Sequence, residues 1–367
     1  MVKSLLFLMQ RVLVCHTGAW IGDMVLLTPA LRALKERLPD SHITFLLRAQ
    51  VVDLMKTNPY VDSCLVDKKK DSFFSSFVGL TKIIRNRNFD IAVVLHPTSF
   101  RNALLPFFAQ VPFRIGSNYK GRGFLLSASC PANRDIHEVQ RYLSVMSLLN
   151  DNDVLDGDDT ALKDRETALE FWHTETDRKR VKKLLRSHGV SVKDRKNRKD
   201  RLIAVNIGTT WQTKRWDIER FETVIRELIA AVSDTKIIIT GSVSEQNLVD
   251  QLPYIDSTIN LVGKTNLLEL GALLEMCALC LTCDSGPMHI AAAVGTPCVA
   301  LFGPTDPMRH QPYGEGHTII EKPVSCRPCY KRTCMQKDVP YLCMKEIETS
   351  HVLDVVLERL NGKKRKT

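Results

Sequence analysis

Short apolar runs alternate with amphipathic stretches along most of the chain. Arg11–Cys15, Ile43–Leu47 and Ile91–Leu95 are aliphatic runs bounded by polar residues, the pattern of strands covered on both faces in a parallel sheet. Between them, Met24–Leu38 carries Leu27, Leu31, Leu34 and Leu38 at helical spacing, with Pro29 tolerable only near the helix start. Val51–Lys56, Phe77–Arg87 and Ile136–Leu149 read as further helices, and Arg114-Ile115-Gly116 as a short strand ending in glycine. An acidic loop, Asn150–Asp159, closes this half.

After a charged segment, Lys193–Arg201, the pattern restarts. Leu202–Ile207, Lys236–Thr240, Ile259–Val262, Ala278–Thr282 and Cys298–Phe302 read as strands. Asp217–Val232 and Asn266–Cys277 read as the helices between them, and Glu245 opens another. His289–Val294 is a short Ala-rich helix, with Asp284 or Ser285 at its N-cap, Pro287 just inside and Gly295 as C-cap. Strand, capped helix and strand in so few residues make a tight βαβ unit. The expected class is α/β, with two doubly wound domains. The expected division is 1–190, a linker at 191–201, a second domain at 202–345, and a C-terminal helix and basic tail at 346–367. A length of 367 residues, beyond one usual core, agrees with two domains.

Charge narrows the partners. The 51 Lys and Arg against 41 Asp and Glu leave a net charge of +10, which favours anionic ligands such as nucleotides, phosphorylated sugars or lipid head groups. Aromatic residues do not alternate with the basic runs, so a stacking platform for nucleic acid is not expected. Lys193–Arg201 and Lys363–Lys366 read as solvated linker and tail, although a basic tail is able to rest on a membrane surface. Leu5–Met9 is too short to span a bilayer and has no clear small-residue cleavage site after it. Eleven cysteines, an odd number lying mostly in apolar elements, suit buried thiols in a reducing compartment, so a cytoplasmic location is expected.

Candidate chemistry gathers where strands end. His16–Asp23, HTGAWIGD, is neither a Walker loop nor a G-x-G-x-x-G fingerprint, so a dinucleotide site is not expected. Asp23 sits at a helix N-terminus after the first strand. It is either an acid that favours the helix dipole or a carboxylate able to take a proton from an attacking hydroxyl. His96 and Arg101, after another strand, are residue types more often found as satisfied polar groups than as site residues. In the second half, Thr209-Thr210 with Lys214, Ser242 with Glu245, Gly263-Lys264-Thr265 and Asp284-Ser285-Gly286 all fall at strand ends. There a phosphorylated ligand would meet several of them and a helix N-terminus together. Cys326, Cys329, Cys334 and Cys343 begin with C-x-x-C spacing, and a structural zinc and plain buried thiols or disulfides both remain open.

The segments HTGAWIGDMVLLTPALRALKERLP, GTTWQTKRW and DSGPMHIAAAVGTPCVALFGPTDPMRHQPYG together resemble glycosyltransferase family 9, the ADP-heptose:lipopolysaccharide heptosyltransferases. The cysteine segment resembles that of heptosyltransferase II-type members. The resemblance implies a GT-B fold, two Rossmann-like domains facing across a cleft, with the acceptor on the first and the sugar nucleotide on the second. It implies Asp23 as catalytic base and Lys214 at the donor diphosphate, with Thr209 and Thr210 beside it. It implies Asp284 at the heptose hydroxyls, and Ser285, Gly286 and His289 at the phosphate-facing helix start. Glu245 would meet the ribose, and Val262 to Thr265, including Gly263, would line the adenine pocket. The implied reaction inverts configuration at the heptose, needs no metal, and glycosylates the lipopolysaccharide inner core, with peripheral inner-membrane contact admitted. Other readings remain: another sugar nucleotide or glycan acceptor, or a non-catalytic nucleotide-binding protein of the same fold. His16-Thr17 and Trp211 depart from the usual family pattern.

Overall fold

A computed structural model describes residues 10–68, 73–149, 167–190, 201–253 and 255–361, residues 73 and 74 by backbone alone. The expected acidic loop at 150–159, all but the last residue of the charged segment 193–201, and the tail at 363–366 lie outside these residues. The chain divides into two units, Met1–Glu170 and Phe171–Thr367.

The first unit contains β1 (Arg11–Cys15), β2 (His42–Leu47), β3 (Ser63–Val66), β4 (Ile91–Val94), β5 (Phe113–Asn118) and β6 (Ala128–Pro131). They form one sheet in the order β3-β2-β1-β4-β5-β6, all neighbours parallel. The second unit contains β7 (Arg201–Asn206), β8 (Thr235–Thr240), β9 (Thr258–Asn260), β10 (Leu279–Cys283), β11 (Cys298–Phe302) and β12 (Thr318–Glu321). Their order, β12-β11-β10-β7-β8-β9, is the same topology traced from the other edge, again all parallel. In each unit the strand order reverses between the first and fourth strands. That switch point opens a crevice at the carboxyl edge of the sheet. The central strands are buried along almost their whole length, which is why they read as continuous apolar runs.

The expected helix Met24–Leu38 is two helices, Ile21–Leu26 and Thr28–Arg37, joined at Leu27. Pro29 has no N–H to give the Val25 carbonyl, and the Thr28 hydroxyl donates to that carbonyl instead, at 2.8 Å. The break leaves the apolar stripe intact, with Leu27, Leu31 and Leu34 fully buried. The helix expected at 136–149 runs from Glu138 to Met146, then tightens into a 3₁₀ turn at Ser147–Leu149.

The expected boundary near 190 moves back to 170/171. Helix Glu175–Ser187 packs on helix Leu267–Met276 of the second unit, with Arg178 donating to Glu275 at 2.6 Å and Arg180 paired with Glu269 at 3.0 Å. Phe171 fills the space over Gly271, where any Cβ would lie 2.1 Å from its ring. Apolar packing and ion pairs thus tie residues 171–190 to the second unit. At the far end of the chain, helix Thr349–Leu360 packs on helix Ile218–Ala231, and the Trp216 indole donates to the Ile347 carbonyl at 3.2 Å. The C-terminal helix is therefore part of the second core.

Candidate active site

Each switch point positions a different chemistry. In the first unit, β1 ends at Cys15 and the chain passes through His16, Thr17 and Gly18 into helix Ile21–Leu26, whose first turn carries Asp23. Asn102 clamps this loop: its Nδ2 donates to the Thr17 hydroxyl at 2.8 Å, and its Oδ1 accepts from the Thr17 N–H at 3.0 Å. Asp23 keeps 29 % of its side chain exposed, whereas His16 beside it is completely buried, with Nε2 3.8 Å from Asp23 Oδ2.

His16 stacks on His96, which follows β4 across the switch point, at 4.7 Å between centroids and 25° between planes. His96 Nδ1 accepts from the Thr98 and Ser99 N–H groups at 3.3 and 3.2 Å. Burial and the nearby Arg122 guanidinium pull its pKa down to about 4. Burial, then His96, hold His16 well below the usual histidine range. Both rings are therefore neutral near pH 7. Arg101 is directed elsewhere: it grips the buried Asp67 carboxylate through Nε at 3.2 Å and Nη2 at 3.1 Å. This is a structural pair.

In the second unit the polar strand ends gather along one edge. Lys214 follows β7, Asp284 follows β10, and Lys214 Nζ lies 2.6 Å from Asp284 Oδ2 across the switch point. The Thr305 hydroxyl, after β11, donates to the same carboxylate oxygen at 2.6 Å. Burial alone would raise the Asp284 pKa, but the Lys214 charge and the bonds from Lys214 and Thr305 outweigh it and hold the carboxyl below its usual value. Asn206 of β7 donates to Ser285 Oγ at 3.3 Å, and Thr282 Oγ1 lies 3.1 Å from the same hydroxyl, fixing the start of helix Gly286–Ala293. Ser285 is the N-cap by position, but its hydroxyl is used between strands and not on the helix. His289 is buried within that helix, three residues after its first.

The remaining candidates divide. Thr209 is buried, its hydroxyl bonded to the Trp211 carbonyl at 2.6 Å, so it shapes the Lys214 loop, whereas Thr210 is exposed. Glu245 caps its own turn, accepting from Ser242 N–H at 2.7 Å. Its carboxylate lies directly over Gly208, where a Cβ would come within 1.8 Å of Oε1. Gly208 is thus required for space, so that the acid after β8 can reach the loop after β7. Val262 is buried, while Gly263 has a φ of +69° and carries Val243 against its Cα. Thr265 is half-buried, and neither it nor Val262 is brought to the Lys214–Asp284 pair by any described contact.

Sequence reasoning did not single out Thr305 or Arg332. The cysteine segment braces both walls of this crevice. The Thr213 hydroxyl donates to the Lys331 carbonyl at 2.7 Å, and the Cys329 and Tyr330 N–H groups donate to the Pro304 carbonyl at 3.0 and 2.9 Å. Lys214 and Arg332 both lie over the Trp211 ring, at 4.7 and 5.2 Å from its centroid. Among the described residues no group of three or more His, Cys, Asp or Glu is placed to hold a metal ion. Cys334 Sγ accepts from the Tyr341 N–H at 3.2 Å, and Cys343 is buried. Its thiol is pushed up to about 11 by burial, then by Cys326, with Cys329 and Cys334 adding to the rise. All eleven cysteines are free, and seven are buried.

Two sheets of this order, with charged residues at both switch points, define a doubly wound, ligand-binding α/β protein. Residues 78–339 match the family model of glycosyltransferase family 9 (heptosyltransferase), and the chain belongs to that family. It is a glycosyltransferase of the heptosyltransferase type with a GT-B fold. Lipooligosaccharide heptosyltransferase 2 of Haemophilus influenzae is 30% identical over 316 residues, covering 82% of this chain and 86% of the relative. Lipopolysaccharide heptosyltransferase 3 of Escherichia coli K12 is 28% identical over 305 residues, covering 80% and 83%. The crystal structure of a family 9 glycosyltransferase from Veillonella parvula superimposes with a TM-score of 0.76 at 25% identity, covering 96% of this chain and 97% of that one.

Proposed function

We propose that the chain transfers a heptose from ADP-heptose to a sugar of the lipopolysaccharide inner core, with inversion at the anomeric carbon. In this reading the first unit takes the acceptor and the second the sugar nucleotide. The anomeric carbon–oxygen bond to the diphosphate breaks, the acceptor oxygen forms the new bond from the opposite face, and the acceptor proton passes to Asp23. Lys214 and the N-terminus of helix Gly286–Ala293 meet the charge that develops on the departing diphosphate. Asp284, with Thr305 behind it, receives heptose hydroxyls; Glu245 takes the ribose, and Val262–Thr265 the adenine.

The observation that carries the reading is the Lys214–Asp284 pair at the second switch point. A cation is stored there beside a carboxylate of lowered pKa, so an incoming diphosphate can draw Lys214 away while Asp284 stays ionised for hydroxyl donors. Peripheral contact with an anionic membrane surface belongs to the same proposal. The net charge of +10 supports it, as do Val78, Lys82, Arg85, Phe107 and Phe108, all exposed on the first unit. No helix among the described residues is long and apolar enough to cross a membrane.

The test is a panel of sugar nucleotides, ADP-heptose included, assayed for transfer to heptose-deficient core acceptors, with products identified by mass. Transfer from ADP-heptose, and from no other donor at comparable kcat/KM, is expected. Preferential transfer from a different nucleotide sugar would overturn the donor assignment.

A further inference from the structure

We infer that His16 is a positioning residue for Asp23, its imidazole presenting an Nε2–H to Asp23 Oδ2 and so holding the carboxylate in place for the acceptor proton. This deepens the proposed function and rests on Asp23 being the base.

Four observations converge on it. His16 is completely buried, and neither ring nitrogen has a hydrogen-bond partner among the described residues. A buried polar group without a partner costs free energy, so such a group is retained for a use. The polar group that the ring faces is Asp23, 3.8 Å from Nε2. That gap is longer than a hydrogen bond, and catalytic hydrogen bonds that are long in a free enzyme commonly tighten when substrate binds.

The third observation is the space around the pair. A Cβ on Gly18 would stand 2.7 Å from His16 Cε1 and 3.5 Å from Asp23 Oδ2. Gly18 does not have a positive φ, so the glycine serves room and not backbone conformation. The fourth is the set of groups packed on the ring. His96, fixed as an acceptor at Nδ1, stacks on one face, and Tyr142 meets the ring edge-on at 6.1 Å. Beyond His96 stand Arg122 and Glu138, the latter bound to Arg141 at 2.6 Å.

These surroundings keep the imidazole uncharged, and the uncharged form is the useful one. An imidazolium beside Asp23 would form an ion pair and spend the carboxylate's basicity. A neutral N–H holds the same oxygen while leaving the negative charge available to the acceptor hydroxyl. Proton bookkeeping is simple: the acceptor proton ends on Asp23, and His16 keeps its own.

The test compares His16→Phe, which keeps the stacked ring and removes the donor, with His16→Gln, which restores an N–H donor. ADP binding and thermal unfolding serve as controls on both. His16→Phe is expected to lower kcat about tenfold or more. It should also move the acid limb of the kcat/KM profile to higher pH, because a carboxylate that loses a donor binds its proton more tightly. His16→Gln should recover part of both effects, and ADP affinity should not change. If His16→Phe is folded and retains kcat and the acid limb within about twofold, the inference fails; the same holds if a folded His16→Gln is no better than the Phe variant. Asp23→Asn separates the two ideas. Full transfer by Asp23→Asn removes the base assignment itself, whereas an inactive Asp23→Asn with an unaffected His16→Phe removes only the role of His16.

Discussion

The two switch points share a topology and differ in how they hold charge. In the first unit, a half-buried carboxylate stands beside stacked, neutral imidazoles, and the Arg101–Asp67 pair is turned to structural use. In the second, the carboxylate is buried, paired with lysine and bonded to threonine. One crevice keeps its acid without a compensating positive charge on the histidine beside it; the other stores a cation. A base needs the first arrangement and a leaving-group clamp needs the second. In the proposed reading the two crevices serve the two halves of one transfer reaction, and they differ in side chains that follow β1 and β4 in one unit and β7, β10 and β11 in the other.

The largest way to break this comparison is Asp23→Ala. Transfer is expected to fall by about 10²–10⁴-fold, with ADP affinity unchanged by calorimetry. Loss of nucleotide binding in that variant would mean that Asp23 does not serve the acceptor side. Next comes Lys214→Ala, where the pairing changes what is expected. Beyond a loss of about 10²-fold in kcat/KM, it leaves Asp284 buried without its cation, so denaturant unfolding should show a stability loss of about 3 kcal/mol. Adding Asp284→Asn should restore much of that stability and none of the transfer. A stable, poorly active Lys214→Ala would show that the pair carries no structural burden.

The smallest expected effect, group by group, is the response of the buried histidines to acid. His96 is depressed to about 4 from an ordinary value near 6.5, so its contribution is present above about pH 6.5 and is lost as pH falls toward 4. By pH 5 the loss is on the order of 2 kcal/mol. His317, in the second unit, is likewise held at about 4, by burial and then by Arg359, and behaves in the same way. Asp284 acts later: its stabilisation is present above the ordinary aspartate value of about 3.9 and disappears as pH falls through its lowered one. His96→Asn and His317→Asn should each flatten the loss between pH 7 and pH 5 in denaturant unfolding. A wild-type stability that is flat over that interval would contradict the neutral, buried state of these rings.

Much of the fold was legible because central parallel strands must be apolar on both faces. Arg11–Cys15 and Cys298–Phe302 appear in the structure with the bounds expected from sequence, and Leu202–Ile207 within one residue at each end. The strands that escaped, Ser63–Val66, Ala128–Pro131 and Thr318–Glu321, lie at sheet edges, where one flank is unpaired and the apolar signal weakens. Helix Glu175–Ser187 was also missed, although Thr174 and Asp177 form a capping box at its start. Its charged surface hid a narrow buried stripe, Val181 and Leu185, and Phe171 against Gly271 is a contact that no local pattern announces.

Strand–helix alternation, the family segments and the strand-end placement of Asp23, Lys214 and Asp284 could be read from the chain alone, because all of these are local properties of composition and spacing. Which strand ends meet follows from the order of strands in each sheet. Strand order places β7 beside β10 and β1 beside β4, and so joins Lys214 to Asp284, 70 residues apart in the chain, and stacks His16 on His96, 80 residues apart. Such pairings depend on hydrogen-bonded neighbours far apart in the chain, a relation that residue periodicity does not encode.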